Sequence, residues 1–282
     1  MKLVVGYLAT PGGADAVALG VRLARTLGAE LELRLVVEAD DVTTPRVTVE
    51  KFQDVLADQT RVWLDEALKL VPEDVTAHAE VVVAESVTEA LSAEAVRLDA
   101  LAIVVGGSGG GLIGRYWLGS DVDHLLHFAP VPVAVAPRGT RHSDVARVRT
   151  VTCAIGSRPG AKLLLDTAAR LSAAAGVPLR LVSLVALDAH PGPDVEVARE
   201  KAGAAIESAK ASLPSDLQVT TAVVEGASVE EAVEKLTWRD GDLLMLGSSR
   251  LAPPRRLFIG STAARILRVL DVPIVVTPRG DD

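Results

Sequence analysis

One stretch of the sequence decides the fold, because it occurs twice. Residues 104–120 read VVGGSGGGLIGRYWLGS, and residues 131–139 read VPVAVAPRG. The same pattern returns as LGSSRLAPPRRLFIGS in residues 246–261 and as VPIVVTPRG in residues 272–280. Matching glycines are separated by 141 residues (247 − 106 = 141), which is half of the 282-residue chain. The repeat therefore indicates a tandem duplication of one domain.

Segments that precede the glycine loops agree with a duplication. Residues 31–37 resemble residues 179–185, and each segment follows an Ala-rich amphipathic stretch. Residues 139–146 are polar and have no apolar periodicity, so we place the join between the two domains there. We expect one domain over residues 1–140 and a second over residues 148–282.

Each half alternates strands and helices in the order β-α-β-α-β-α-β-α-β. Most strands are continuous runs of Val, Leu, Ile and Ala, which indicates burial on both faces and hence a parallel sheet flanked by helices. Ser86 and Ser228 each open a Ser-x-x-Glu pattern, which is typical of a capped helix start. The expected fold class is α/β, with two tandem open five-stranded parallel-sheet domains. The expected strands are residues 2–8, 31–37, 77–83, 100–105, 131–136, 150–155, 179–185, 219–224, 242–247 and 272–277. The expected helices are residues 13–27, 48–70, 87–98, 119–128, 160–175, 194–212, 229–238 and 261–270.

Composition excludes several classes of function. The chain has 37 acidic and 29 basic residues, for a net charge of −8, which argues against a nucleic-acid partner. No apolar run reaches the roughly 18 residues of a membrane helix, so no membrane partner is expected. Gly6 and the glycines after Pro11 interrupt the first apolar stretch, so we expect a strand there and a cytoplasmic protein. Cys153 is the single cysteine and is predicted to be a buried, inert thiol.

The loop after the fourth strand is the expected binding site, because ligands of open parallel sheets bind beyond the carboxyl ends of the strands. Its spacing runs from Gly106 through Gly109 to Gly119 and Ser120. Glycines let backbone amides approach phosphate oxygens, and a helix that starts at residue 119 offers free amides to an anion. We expect Ser120 to cap that helix. The second-half counterparts are Gly247, Gly260 and Ser261.

This Gly-x2-Gly-x9-Gly-Ser pattern resembles the nucleotide-binding motif of the universal stress protein family, and the resemblance covers the chain as two tandem domains. It implies an adenine-nucleotide alpha-hydrolase-like fold that binds ATP, with or without Mg²⁺, and Val36 on the adenine side. It implies a stress-response regulator or signalling module with an unknown protein partner, and no catalytic residues; weak ATP hydrolysis stays open. It also implies that the two fifth strands pair as an intramolecular pseudo-dimer, and it leaves a further homodimer open.

The sequence departs from the family pattern at positions that bear on affinity. The family usually has Asp at the end of the first strand, where this chain has Leu8 and, in the second half, Ile155. Asp121 places a negative charge beside the expected phosphates, where it either repels them, holds Mg²⁺ or suits the helix start. Arg250 stands where the second half should have a glycine, although Arg250, Arg255 and Arg256 offer an alternative way to bind an anion.

We therefore expect ATP binding mainly in the N-terminal half. The alternative is a nucleotide-independent interaction module with degenerate ATP sites.

Three other motifs are interpreted as structural. The stretch from Pro11 to Asp15 faintly resembles the phosphate loop of ATP pyrophosphatases but lacks both serines, so we interpret it as a turn and helix start. His124 and His127 lie three residues apart on a helix, but no third ligand is evident, so no metal site is predicted. Ser248 and Ser249 have no evident base and are expected to bond to local amides.

Overall fold

The computed structural model describes residues 1–38, 49–107, 119–156, 162–189, 194–249, 252 and 255–280, with only the backbone of 49–57. The first half contains β1 (Lys2–Gly6), α1 (Pro11–Leu27), β2 (Glu30–Glu38), α2 (Val49–Lys69), β3 (Ala77–Ala84), α3 (Val87–Arg97), β4 (Ala102–Gly106), α4 (Ser120–Phe128) and β5 (Val133–Ala136). The second half contains β6 (Thr150–Ala154), α5 (Lys162–Ala175), β7 (Leu179–Ala186), α6 (Asp194–Ala211), β8 (Val219–Gly226), α7 (Val229–Glu234), β9 (Asp242–Gly247), α8 (Ser261–Val269) and β10 (Ile274–Thr277).

All ten strands form one sheet in the order β3-β2-β1-β4-β5-β10-β9-β6-β7-β8. The fifth strands of the two halves join antiparallel, with Ala134 opposite Val275, and the other pairs are parallel. The expected α/β fold and the pairing of the fifth strands are thereby confirmed. Because the central pair is antiparallel, the carboxyl ends of the strands lie at opposite edges of the sheet in the two halves.

The sheet separates two hydrophobic cores. One core packs α1, α2, α5 and α6 against the sheet, and the other packs α3, α4, α7 and α8 against its opposite face. Cys153 on β6 is completely buried, as predicted, and burial raises the pKa of its thiol. The thiol is therefore protonated at neutral pH and inert as a nucleophile.

The helix starts follow the sequence signals closely, and the start of α1 shows a clear shift. The Ser86 hydroxyl accepts from the Glu89 amide at 3.4 Å, and that of Ser228 accepts from the Glu231 amide at 3.3 Å, which confirms both predicted caps. β1 ends at Gly6 instead of residue 8, and α1 begins at Pro11 instead of residue 13. The cause is the Thr10 hydroxyl, which caps α1 by accepting from the third residue of the helix, and proline suits the first helical position.

The linker between the halves is fixed to one face of α1. The Asp15 carboxylate is 1 % exposed and accepts from the backbone amides of Gly139 (3.0 Å) and Arg141 (2.9 Å), and from the Arg141 guanidinium (2.8 Å). Gly139 has φ +89°, a conformation that favours glycine at this turn. Asp15 is thus a structural residue, in agreement with our interpretation of its motif.

Two further residues on the same face of α1, Arg22 and Thr26, also form hydrogen bonds with the linker. The Arg22 guanidinium donates to the Val145 carbonyl at 3.1 Å, to Ser143 and to Asp240 of the second half at 3.3 Å. One turn later, the Thr26 hydroxyl accepts from the Val148 amide at 3.0 Å. The spacing of 7 and 11 residues from Asp15 places all three side chains on one side of the helix. The linker is therefore an ordered part of the interface between the halves.

No helix in the described part of the chain is both long and apolar enough to cross a membrane.

Replacing Asp15 with alanine tests the attachment of the linker. We expect the free energy of unfolding to fall by about 3 kcal/mol, because two backbone amides and a guanidinium lose a buried acceptor. Urea unfolding followed by circular dichroism measures the change. Asp58→Ala is the control, since the Asp58 side chain is 79 % exposed and its ion pair with Arg61 spans 3.7 Å. An equal effect of the two substitutions would contradict the structural role of Asp15.

Candidate functional site

A cleft opens at the carboxyl edge of the first half, where β1, β2 and β4 end. It brings together three of the predicted site residues, Val36, Gly106 and Gly119. Gly109 lies outside the described residues. The other cleft-lining residues used below are Tyr7, Leu8, Gly12, Arg34, Leu91 and Asp121.

Gly106 is required for the packing of α1 against β4. A Cβ atom built on Gly106 would lie 1.9 Å from the carbonyl oxygen of Gly12, and one on Gly12 would lie 2.8 Å from that of Gly107. The start of α1 therefore packs backbone to backbone against the end of β4. The sequence predicted Gly106 from the approach of a phosphate, and this close contact is a second reason for a glycine there.

The start of α4 differs in detail from the prediction. Gly119, and not Ser120, is the N-cap, and no side chain caps the helix. Ser120 is the first helical residue and its side chain is exposed, so its expected role as the cap is wrong. Because glycine has no side chain, Gly119 itself supplies no capping oxygen to the first amides of α4. Asp121 and Asp123 lie in the same turn, and Asp121 lines the cleft.

The apolar wall of the cleft surrounds the place that the resemblance assigns to adenine. Val36 at the end of β2 is 8 % exposed, and Leu91 of α3 is buried beside it. Leu8, which replaces the family's usual Asp, lines the cleft with 51 % exposure. The cleft therefore offers apolar contact where the family offers a carboxylate, which removes one hydrogen-bond acceptor for a ligand.

A buried ionic network lies at the floor of the cleft. Arg34 is 2 % exposed and contacts Glu32 at 2.9 Å, Glu94 at 2.6 Å and Glu80 at 3.5 Å. Glu32 also pairs with Lys2. The guanidinium is thus satisfied by carboxylates of the protein, so it does not supply a free positive charge to the cleft.

Sequence reasoning missed this network. Strand β2 reads ELELRLVVE, in which Leu31, Leu33 and Leu35 face one core while Glu32 and Arg34 face the other side. The alternation was the available signal, because charged residues at every second position of a buried strand require buried partners.

The site of the second half is arranged differently. Gly260 is the N-cap of α8, and Ser261 is its exposed first residue, in exact parallel to Gly119 and Ser120. Gly247 ends β9, but the Ser248 hydroxyl accepts from the Phe258 amide at 2.8 Å and the Ser249 amide donates to the Phe258 carbonyl at 2.8 Å. The Ser248 hydroxyl thus bonds to a local amide, as predicted, whereas Ser249 makes its contact with Phe258 through its backbone amide.

An ion-pair cluster spans the carboxyl edge of the second half. Arg265 of α8 contacts Glu230 of α7 at 2.5 Å and Asp188, just after β7, at 2.9 Å. The hydrogen bond from Arg265 lowers the pKa of Glu230 to about 2. By the repeat, α7, α8 and the end of β7 are equivalent to elements around the first-half cleft. The ion pairs of Arg265 therefore connect these three elements to one another across the region where a ligand of the second half would bind.

The arginines near this loop have structural partners. Arg256 donates to the Phe128 carbonyl at 2.9 Å, and the amide of Arg255 donates to the Arg279 carbonyl at 3.1 Å. Arg250 lies outside the described residues. The guanidinium of Arg256 already contacts the end of α4, which argues against the alternative in which this arginine binds an anion.

No group of three His, Cys, Asp or Glu side chains within the described ranges is placed to hold a metal ion. The Nδ1 atom of His127 lies 2.7 Å from the Asp123 carbonyl oxygen. The His127 ring packs edge to face against the Phe258 ring, with 5.0 Å between the ring centres. His127 therefore serves the contact between the halves.

The network below the cleft predicts a dependence of stability on pH. Hydrogen bonds from Arg97 and then Arg34 lower the pKa of Glu94 to about 2, below its ordinary value of 4.5. Since the folded-state pKa is depressed, the stabilisation is present above pH 4.5 and is lost as the pH falls toward 2. Solvent screening at the exposed Arg97 limits it to about 1–2 kcal/mol.

Urea unfolding of the wild type and Glu94→Gln between pH 7 and pH 2.5 measures this dependence. The variant should be less stable at pH 7, and the difference should shrink as the pH falls. A constant difference would contradict the assignment. Glu207→Gln, at an exposed position of α6, is the control.

Comparison with known proteins agrees with this architecture. The universal stress protein family matches the sequence twice, over residues 1–137 and 147–278. A universal stress protein from Mycobacterium tuberculosis is 28 % identical over 294 residues, which cover 99 % of this chain and all of that protein. The solved structure of a universal stress protein from Archaeoglobus fulgidus has a TM-score of 0.69 at 15 % identity and covers 99 % of this chain and 98 % of that chain. The double match over almost the whole sequence, together with the shared fold, shows that the chain belongs to the universal stress protein family.

Proposed function

We propose that the protein is a regulatory module that binds an adenine nucleotide, such as ATP, in the cleft of its N-terminal half. The observation that carries the proposal is the convergence of Val36, Gly106 and Gly119 on one cleft at the carboxyl edge of the sheet. In open parallel sheets this edge is where ligands bind.

The two sides of the cleft suit the two parts of a nucleotide. Val36, Leu8 and Leu91 form an apolar wall against which a purine base can pack. On the other side, α4 begins at a glycine without a side-chain cap, so its first amides and its dipole favour phosphate. Base and phosphates would thus contact different elements of the same half.

Three features of the cleft lead us to propose weak binding. Leu8 replaces a carboxylate, which costs a ligand about 1–3 kcal/mol if its donors stay unpaired. Arg34 is neutralised by Glu32 and Glu94, and Asp121 adds a negative charge near the phosphates. Mg²⁺ would offset part of that repulsion, so we propose the Mg²⁺ complex of ATP as the bound form.

The second half is proposed not to bind nucleotide. Arg265 already pairs with Glu230 and Asp188 across the equivalent edge, and Ser248 is bonded to Phe258. A ligand there would have to displace these interactions before it gained its own.

The alternative function is a protein-interaction module that needs no nucleotide. Leu8 and Ile155 favour it, because an apolar side chain at the family's usual Asp position accepts no hydrogen bond from a nucleotide. Nucleotide titration distinguishes the two functions.

A matched pair of variants tests the proposal. Ser120→Asp and Ser261→Asp each place a carboxylate at the exposed first position of a helix, where an acidic residue is compatible with folding. In calorimetric titrations with millimolar MgATP, we expect Ser120→Asp to weaken binding at least about tenfold, because the new charge opposes the phosphates. Ser261→Asp should leave the affinity unchanged.

Two results would contradict the proposal. The absence of MgATP binding by the wild type would favour the interaction module. Equal weakening by the two variants would show that the second half also binds nucleotide.

A further inference from the structure

The loop that follows β9 in the second half reaches the end of α4 in the first half. We call residues 255–259 the crossing segment. The Leu257 amide donates to the Ala129 carbonyl at 3.0 Å, and the Ile259 amide donates to the Leu126 carbonyl at 3.0 Å. The Arg256 guanidinium donates to the Phe128 carbonyl at 2.9 Å.

These three bonds satisfy groups that a helix cannot satisfy by itself. The last four carbonyls of an α-helix have no partner within the helix. The second half supplies donors to the carbonyls of Leu126 and Phe128 in the last turn of α4 and to that of Ala129, the residue that follows the helix. The positive charge of Arg256 also lies at the C-terminal end of α4, where the helix dipole favours a cation.

Side-chain packing reinforces the same contact. Leu257 is completely buried and Ile259 nearly so, in the same core as Leu125 and Leu126 of α4. The Phe258 ring lies edge to face with His127 at 5.0 Å between ring centres. The crossing segment is therefore packed against α4 as well as hydrogen-bonded to it.

The serines at the end of β9 hold the crossing segment in place. The Ser248 hydroxyl accepts from the Phe258 amide, and the Ser249 amide donates to the Phe258 carbonyl, both at 2.8 Å. These serines occupy the repeat position of Gly107 and Ser108 in the first half. Residues that align with a phosphate loop thus orient a segment that contacts the other half.

The opposite end of α4 faces the cleft. Asp121, Val122 and Leu125 line it together with Gly119. A helix of nine residues is marginal on its own, and this one has no side-chain cap at its start. The direction of α4, and so of its first amides, depends on what holds its last turn.

We propose that the crossing segment positions α4 for ligand binding in the first-half cleft, with Arg256 as a positioning residue, so that the second half completes the site of the first. This inference rests on the proposed nucleotide function for its effect on affinity. Its structural part, the support of α4, is measured without any ligand.

Arg256→Ala in the full chain tests the inference, because Arg256 is exposed and its loss creates no cavity. Hydrogen exchange followed by mass spectrometry should show amides of α4 exchanging about five- to tenfold faster, with β6 unchanged. MgATP affinity should fall about three- to tenfold. Arg256→Lys should restore most of both, since lysine also donates to the Phe128 carbonyl. Arg170→Ala, an exposed arginine on α5, controls for the loss of charge.

The outcomes separate the two proposals. Unchanged α4 exchange in Arg256→Ala would overturn the support of α4. Faster exchange with unchanged MgATP affinity would overturn the positioning role. If the wild type binds no MgATP, the proposed function and the effect on affinity are both overturned, while the exchange measurement still decides the support of α4.

Discussion

The antiparallel pairing of β5 with β10 is the interaction on which the rest of the structure depends. It turns two five-stranded sheets into one sheet of ten strands and buries both fifth strands on both faces. Each of these strands is preceded directly by a proline, Pro132 or Pro273. Because the proline lies just outside the strand, its missing amide hydrogen removes no hydrogen bond from the sheet. Because the pairing inverts one half relative to the other, the ligand edge of the second half lies beside the helix ends of the first.

The two halves differ at these equivalent edges. The first half retains an open cleft with a glycine at the start of α4. In the second half, the equivalent edge is tied by Arg265, and its loop contacts the neighbouring helix through residues 255–259. Ser248 illustrates this difference, because its hydroxyl accepts from the Phe258 amide of the same loop.

Much of the fold followed from the sequence, because the repeat, the apolar strands and the two Ser-x-x-Glu patterns are local signals. The resemblance to a known family added the pairing of the fifth strands and the placing of Val36, whereas the edge of the sheet that carries the cleft followed from the expected strand order. The pairing of Arg34 with Glu94 and the partners of Asp15 and Arg265 were not predictable, because these residues are distant in sequence. The cap of α4 was assigned to Ser120 from its residue type, whereas in the structure Gly119 is the cap and Ser120 is the first residue of the helix.

The pairing of β5 with β10 within one chain has a consequence for the assembly. In a pair of separate subunits, such an interface dissociates on dilution, and its stability depends on protein concentration. Here the covalent connection fixes the effective concentration of one half for the other, and Asp15, Arg22 and Thr26 shorten that connection further by holding it against α1. The second half, which supports α4, is therefore present in a one-to-one ratio with the first half at every concentration of the protein.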